Sequence, residues 1–256
     1  MDVSIVIPAR YQSSRFPGKP LQMLEGASGV KRSLIRRAWD AAQAVDGISR
    51  VVVATDDGRI ADHARDFGAE VMMTSKDARN GTERCAELAE ALGGDLIVNL
   101  QGDAPLTPAD FVSSLLEGIG DADVATPVLK TDPQTLAHFK EDRKEGRVGG
   151  TTAVFGADNN ALYFSKEVLP YADAPGTTVY HHVGLYAYRP AALKAYAGWE
   201  MGRLEDVEGL EQLRFLENGV KVKCVEVEGR GRVFWELNNP VDVPRIEAAM
   251  KEMGMA

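Results

Sequence analysis

The sequence predicts an α/β fold, a mainly parallel sheet flanked by helices with a smaller antiparallel extension, and three observations point there. Through the first half, short apolar runs bounded by turn residues alternate with helical patterns, as parallel strands joined by crossover helices do. In the second half, strand-like runs follow one another across loops instead of full helices, the habit of antiparallel strands. The chain has 256 residues, 45% hydrophobic and 26% charged, the balance of a soluble globular enzyme-sized domain, which excludes a disordered, collagenous or coiled-coil chain.

The apolar run Val3 to Ile7, stopped by Pro8, reads as the first strand. A helix is expected from about Gly29 to Val45, a strand over Val51 to Ala54, and a helix over Asp57 to Phe67. Then come the strand Glu70 to Met73, a helix from Thr82 to Leu92, and the apolar strand Asp95 to Leu100. A helix beginning near Pro108 and the strand Val124 to Pro127 close the alternation. Thr151 to Phe155, Ala161 to Ser165 and Val183 to Tyr188 read as strands separated by loops. Helices are expected over Pro190 to Ala197 and Glu205 to Asn218, a strand over Lys221 to Val227, and a closing helix from Val241 to Met253. Asn239 is placed as cap of that last helix and Pro240 in its first turn. Without repeats, low-complexity tracts or a long linker, residues 1–256 read as a single domain.

Charge and cysteine usage narrow the function. Twenty-nine basic against thirty-eight acidic residues give a formal charge of −9, which argues against general nucleic-acid binding. Cys85 and Cys224 are too few for a disulfide framework and lack metal-knuckle or redox spacing, so a reducing cytoplasm is expected. The N-terminus has neither the basic region of a signal peptide nor an anchor, and no apolar stretch approaches the roughly 20 residues that span a bilayer.

The chemistry is expected at two strand ends. Pro8 to Pro20 holds Arg10, Arg15 and Lys19 with no acid, directly after the first strand of an acidic protein. Ligands of open α/β sheets bind beyond the carboxyl ends of strands, so such a loop suits a polyphosphate, although its glycines match neither a Walker loop nor a dinucleotide fingerprint. Asp103 leaves the strand ending at Leu100, and one carboxylate beside a triphosphate suffices to recruit magnesium. Taken alone, Asp103 would be a turn residue next to Gly102. Together the two segments converge on one sheet edge.

These residues also carry a resemblance. Ile7-Pro8-Ala9-Arg10-Tyr11, Phe16-Pro17-Gly18-Lys19-Pro20-Leu21, Val53-Ala54-Thr55-Asp56-Asp57, Gly81-Thr82-Glu83-Arg84, Asn99-Leu100-Gln101-Gly102-Asp103, Ala161-Leu162-Tyr163-Phe164-Ser165 and Leu210-Glu211-Gln212-Leu213-Arg214 occur in the order of the blocks of 3-deoxy-manno-octulosonate cytidylyltransferases, the CMP-Kdo synthetases. The sequence resembles that family over nearly its whole length. The resemblance implies a nucleotide-diphospho-sugar transferase-like, Rossmann-like fold and a magnesium-dependent, cytoplasmic homodimer. The implied reaction joins CTP and Kdo into CMP-Kdo with release of pyrophosphate, for lipopolysaccharide biosynthesis. It implies a CTP-binding half over 1–130, a sugar-acid and dimerisation half over 131–235, and a closing segment over 236–256.

By the same resemblance, Ala9, Arg10, Ser13, Ser14, Arg15 and Lys19 would bind CTP, with Arg10, Ser13, Arg15 and Lys19 on its triphosphate, and Thr74, Asn80 and Gly81 belong to the loop that recognises cytosine. Arg10, Lys19 and Asp103 would be catalytic. Arg84, Gln101, His182, Tyr186, Glu211 and Gln212 match sugar-acid positions, and Asp103 and Asn238 match the metal ligands. Three departures stand out. Asn238 occupies the place of the family's second metal aspartate, Lys166 stands where arginine is usual, and Asn80 stands where serine is usual. Glu236, two residues before Asn238 on the expected closing strand, is the carboxylate that could compensate. Related 2-keto-3-deoxy sugar acids, among them amino-Kdo and nonulosonates, are the alternative acceptors, and a glycosyltransferase of similar fold is the alternative class.

Overall fold

The computed structural model describes every residue except 14–15, 149, 172–175, 233–235 and 256. Expectations that fall on Ser14 and Arg15 lie outside the described residues. The chain forms two compact units, Met1–Ser113 with Arg230–Ala256, and Ser114–Gly229.

The first unit begins with β1 (Val3–Ala9), the hairpin strands β2 (Met23–Glu25) and β3 (Lys31–Ser33), and α1 (Leu34–Gln43). It continues through β4 (Arg50–Thr55), α2 (Gly58–Asp66), β5 (Glu70–Met73), α3 (Gly81–Leu92) and β6 (Leu96–Leu100) to α4 (Ala109–Gly118), in which the chain leaves the unit. The expected helix from Gly29 starts five residues late, because residues 31–33 pair with β2 and Ser33 then caps α1 by accepting the Arg36 N–H at 3.2 Å.

The four long strands lie in the order β5-β4-β1-β6, all parallel. β1 is buried along almost its whole length, as expected of a parallel strand covered on both faces. The register sets Ala9 beside Thr55, Thr55 beside Met73, and Val6 beside Asn99. The loops after β1, β4, β5 and β6 therefore leave one edge of the sheet. β1 has β4 on one side and β6 on the other, so its carboxyl end is the topological switch point where such sheets bind ligands.

The second unit carries β7 (Val124–Lys130), α5 (Pro133–Lys144), β8 (Thr152–Phe155), β9 (Ala161–Ser165), β10 (Tyr180–His182), β11 (Leu185–Tyr188), α6 (Pro190–Ala197), α7 (Arg203–Glu208), α8 (Leu213–Glu217) and β12 (Val222–Val227). β7 is its centre, antiparallel to β10 and β11 along one edge and parallel to β12 along the other. β8 and β9 extend this sheet, also antiparallel. Helix α5 escapes the apolar pattern: Asp132 caps it and Pro133 opens it, but Phe139 is its only buried residue among many charges. The continuous helix expected over 205–218 is two helices, broken where Gly209 adopts φ +61°. Glu211 and Gln212 sit in that break.

The closing segment returns to the first unit. A 3₁₀ turn (Pro240–Asp242) leads into α9 (Val243–Glu252), while Glu236–Asn238 are irregular where a strand end was expected. Ile246, Ala249 and Met250 join Leu24, Leu34, Leu106 and Leu237 in one buried cluster. At roughly 1.5–3 kcal/mol for each large aliphatic side chain buried, this cluster is what fixes the C-terminal segment against the β2–β3 hairpin.

Candidate active site

The loop after β1 doubles back on itself. Gly18 donates its N–H to the Tyr11 carbonyl at 2.9 Å, and the chain turns through φ +71° into the 3₁₀ turn Lys19–Leu21. That turn places Lys19 opposite the end of β6, where its Nζ meets Asp103 Oδ2 at 2.9 Å. Both side chains keep access to solvent, 18% and 25%. The lysine and the carboxylate are therefore paired but reachable, at the switch point of the parallel sheet.

Asp103 is held from its backbone too. Ala104 donates to the Gln101 carbonyl at 3.4 Å, closing a turn, and Leu237 donates to the Asp103 carbonyl at 2.8 Å. Gly102 lies against β1, so that a Cβ there would stand 3.2 Å from the Pro8 carbonyl oxygen. The Leu237 bond anchors the strand of irregular chain that carries Glu236 and Asn238. Asn238 Nδ2 donates to Glu236 Oε2 at 3.3 Å, and Asp242 Oδ2 accepts from the N–H groups of both Asn238 and Asn239.

This donor set bears on magnesium. Among the described residues no three His, Cys, Asp or Glu side chains cluster closely enough to hold a metal by themselves. One half-exposed carboxylate suits an ion that takes its remaining ligands from phosphate oxygens and water, which is how magnesium binds beside nucleotides. Asp103 fits that role, with the Asn238 carboxamide oxygen and the Glu236 carboxylate as the neutral and charged candidates for a second ligand.

The remaining first-unit residues surround the ends of β4 and β5. Arg10 Nη1 reaches the Arg79 carbonyl at 3.5 Å. Asn80 is the N-cap of α3, its Oδ1 accepting the Glu83 N–H at 2.8 Å. Gly81 follows at a crowded point, where a Cβ would stand 3.0 Å from Asn99 Nδ2 and 3.3 Å from Pro8 Cγ. An open basin of about 640 Å³ is lined by Arg10, Tyr11, Gln12, Ser13, Pro17 and Arg59. Ser13 Oγ accepts the Phe16 N–H at 3.2 Å, and Ala9 is buried in β1 itself. Gln101 opens the turn after β6.

Arg84, implied as a sugar-acid residue, is engaged by the protein itself. Its side chain is 3% exposed and its guanidinium donates to Thr74 Oγ1 at 2.6 Å and the Ser75 carbonyl at 3.1 Å, with Asp56 at 3.2 Å. In this arrangement the fork ties the loops after β4 and β5 together, and a sugar carboxylate would have to displace one of those acceptors. Arg84→Lys keeps the charge but not the fork, and is expected to cost about 1–2 kcal/mol of stability. A melting curve coincident with wild type contradicts the bracing role.

In the second unit His182, Tyr186 and Gln212 form one buried group. Thr126 Oγ1 lies 2.8 Å from the Leu185 carbonyl and 3.0 Å from His182 Nε2. A hydroxyl has one proton, and the carbonyl can only accept it, so His182 is assigned the Nε2–H tautomer that donates to Thr126. The Tyr186 hydroxyl donates to Gln212 Oε1 at 3.1 Å, and Gln212 Nε2 is buried with no partner among the described residues. The Tyr196 hydroxyl donates to the Glu211 carbonyl at 3.2 Å. His181 points to the other face of β10, edge-on to Phe139 at 5.1 Å, as strand alternation requires.

Burial pushes the imidazoles down, His181 to about 4 and His182 to about 3, the neighbouring His181 adding to the fall at His182. Both stay neutral in the folded protein while the unfolded chain protonates near 6.5. Stability is thus fully present above pH 6.5 and falls as the pH drops below it, with a slope of up to about 1.4 kcal/mol per pH unit for each histidine. Melting temperatures from pH 7.5 to 4.5 check this: His182→Gln should flatten part of the slope. No change between pH 6.5 and 5 in the wild-type chain contradicts the neutral pair.

One group was invisible to motif reasoning. Glu208, the last residue of α7, accepts from Ser165 Oγ at 2.7 Å, the Lys166 N–H at 2.9 Å and the Tyr163 hydroxyl at 3.3 Å. It fastens the Tyr163-Phe164-Ser165 segment to the helix that precedes Glu211 and Gln212, and the Tyr163 hydroxyl is pushed up by its own burial first and by the Glu208 charge second. The only sequence signal was an acidic helix, which reads equally as solvated surface.

A cytidylyltransferase family model matches residues 4–222. A 3-deoxy-manno-octulosonate cytidylyltransferase of Maricaulis maris is 42% identical, over 99% of each chain. An 8-amino-3,8-dideoxy-manno-octulosonate cytidylyltransferase of Shewanella pealeana is 36% identical, over 98% of this chain and 99% of its own. Among solved structures, a CMP:2-keto-3-deoxy-manno-octonic acid synthetase complexed with CTP superposes with a TM-score of 0.86 at 31% identity, covering 99% of this chain and 100% of that one. No helix among the described residues is long and apolar enough to cross a membrane. With the sequence blocks in order, the parallel sheet and its Lys19–Asp103 pair in place, and homology running end to end, the chain belongs to the cytidylyltransferase family.

Proposed function

We propose that the chain transfers CMP from CTP to 3-deoxy-manno-octulosonate, releasing pyrophosphate and supplying activated sugar for lipopolysaccharide assembly. The observation that carries this reading is the 42% identity, over 99% of both chains, to an enzyme of that name. The Lys19–Asp103 pair at the switch point of the sheet gives it a physical basis.

In the proposed reaction the anomeric hydroxyl oxygen of Kdo bonds to the α-phosphorus of CTP. The bond from that phosphorus to the bridging oxygen breaks, pyrophosphate leaves with the electron pair, and the hydroxyl proton passes to solvent or to the departing pyrophosphate. No covalent enzyme intermediate is needed, so the protein's work is alignment and neutralisation of charge on phosphate oxygens. Arg10 and Lys19 supply the cations. Asp103 orients Lys19 and is the carboxylate that would hold magnesium, with Asn238 or Glu236 beside it. Magnesium, when bound, supplies Lewis-acid polarisation of the phosphate oxygens. The loop from Thr74 to Gly81 is the cytosine side of this reading, and His182, Tyr186, Glu211 and Gln212 are the acceptor side. Cytoplasmic location and a homodimer belong to the same reading and rest on the resemblance alone.

A second acceptor has its own support. The Shewanella relative is named for the 8-amino sugar, and Asn238 and Lys166 depart from the usual Kdo pattern. Pyrophosphate release from CTP and magnesium, measured side by side with Kdo and 8-amino-Kdo, separates the two. A kcat/KM higher for Kdo supports the first reading; a higher value for the amino sugar replaces it.

A further inference from the structure

Arg59 has no place in the sequence blocks, yet it lines the same basin as Arg10 and Ser13. It stands in the first turn of α2, directly after the end of β4. Asp57 caps that helix and also takes the arginine sideways, Nε on Oδ1 at 2.9 Å and Nη2 on Oδ2 at 2.7 Å. The same contact holds the Asp57 carboxyl below its ordinary range. The guanidinium carbon of Arg59 lies over the ring of Tyr11, 3.3 Å from its centre, far away in sequence on the loop after β1. The Tyr11 ring in turn rests on Gly18, where a Cβ would be 3.2 Å from it.

A solvated surface arginine paired with a near neighbour would need neither the stacking partner nor the basin. Here one edge is fixed by Asp57 and one face by Tyr11, so the group has lost the freedom that usually makes arginine costly to order. The side-on pairing consumes Nε and one proton of Nη2. Among the described residues it leaves the end-on fork, Nη1 with the second Nη2 proton, with no acceptor, in a basin that Arg10 also lines and that no described acid lines. A planar pair of donors of that kind matches two oxygens of a phosphate.

We propose that Arg59 is a further ligand of the nucleotide's polyphosphate tail, binding oxygens of the β- or γ-phosphate and then of the pyrophosphate product, and that Tyr11 holds it in place. The proposal rests on the reading of this site as the CTP site.

The test compares the wild-type enzyme with Arg59→Leu and Arg59→Lys. The side chain is 60% exposed, so the fold should survive both changes. In Arg59→Leu, the KM for CTP and the inhibition constant of pyrophosphate should each rise about tenfold, the size of one lost charge-assisted hydrogen bond. Inhibition by CMP, which lacks both outer phosphates, and the KM for the sugar acid should stay within about twofold of wild type, well under one such bond. Arg59→Lys, which keeps the charge without the plane or the fork, should recover only part of the loss. Unchanged CTP and pyrophosphate constants overturn the proposal. So does equal weakening of CMP, which would make Arg59 a support of the loop alone. Calorimetric binding of pyrophosphate to wild type and Arg59→Leu judges the residue independently of turnover. A wild-type chain that binds pyrophosphate through Arg59 but does not turn over CTP would refute the cytidylyl-transfer reading and leave the anion site standing.

Discussion

Asp103→Ala is expected to lower kcat about 10³-fold, the scale of removing one preorganised electrostatic group from a reacting centre. The carboxylate does two jobs. It fixes Lys19 by the 2.9 Å contact, and on the proposed reading it is the carboxylate that would hold a magnesium ion. Removing it leaves Arg10, Lys19 and Arg59 in place, so CTP measured without magnesium should bind within about tenfold of wild type, the span of one charged contact. The strengthening of CTP binding by added magnesium should disappear. Near wild-type turnover in magnesium removes Asp103 from the mechanism.

The largest expected loss of stability is at Arg214. Its guanidinium forks onto Glu205, Nε to Oε2 and Nη2 to Oε1, both at 2.6 Å, with side chains only 2% and 5% exposed. The same plane stacks on Tyr196 at 4.1 Å. Arg214→Leu leaves Glu205 buried and uncompensated, at a cost of about 3–5 kcal/mol. For a chain of this size that corresponds to a fall in Tm of roughly 6–20 °C. The pair joins α7 to α8 across the break that carries Glu211 and Gln212, so those two residues should lose order with it. The double change Glu205→Leu with Arg214→Leu should recover much of the loss, because it removes both charges. Equal melting of the single and double variants contradicts the buried-charge account.

What could be read from the sequence followed from how strongly each segment's own residues determine its state. β5 and β9 match their expected limits, Glu70–Met73 and Ala161–Ser165, being short extended runs that the chain could place in no other way. α5 was not legible, because with Phe139 as its one buried residue it has almost no apolar stripe and rests on Asp132 and Pro133 instead. The helix expected over 205–218 ignored Gly209, whose φ of +61° ends α7.

The candidate site divides the same way. Arg10, Lys19 and Asp103 were legible because each follows a strand of the parallel sheet, and strand ends of such a sheet gather at one edge. Arg84 was legible only as a charge, since its partners Asp56 and Thr74 come from two other strand ends. Arg59 was not legible at all: what distinguishes it from a surface arginine is the ring of Tyr11, a contact made by the fold. Asn238 was found from the sequence, but its contact to Glu236 at 3.3 Å is a property of the irregular segment that Leu237 ties to Asp103.

The central claim is tested most directly by release of pyrophosphate from CTP and magnesium, with and without Kdo, in the wild-type chain and in Asp103→Ala. The account predicts Kdo-dependent release in wild type and its loss, by about three orders of magnitude, in the variant. No pyrophosphate with either Kdo or its 8-amino analogue, or release that Asp103→Ala leaves intact, contradicts it.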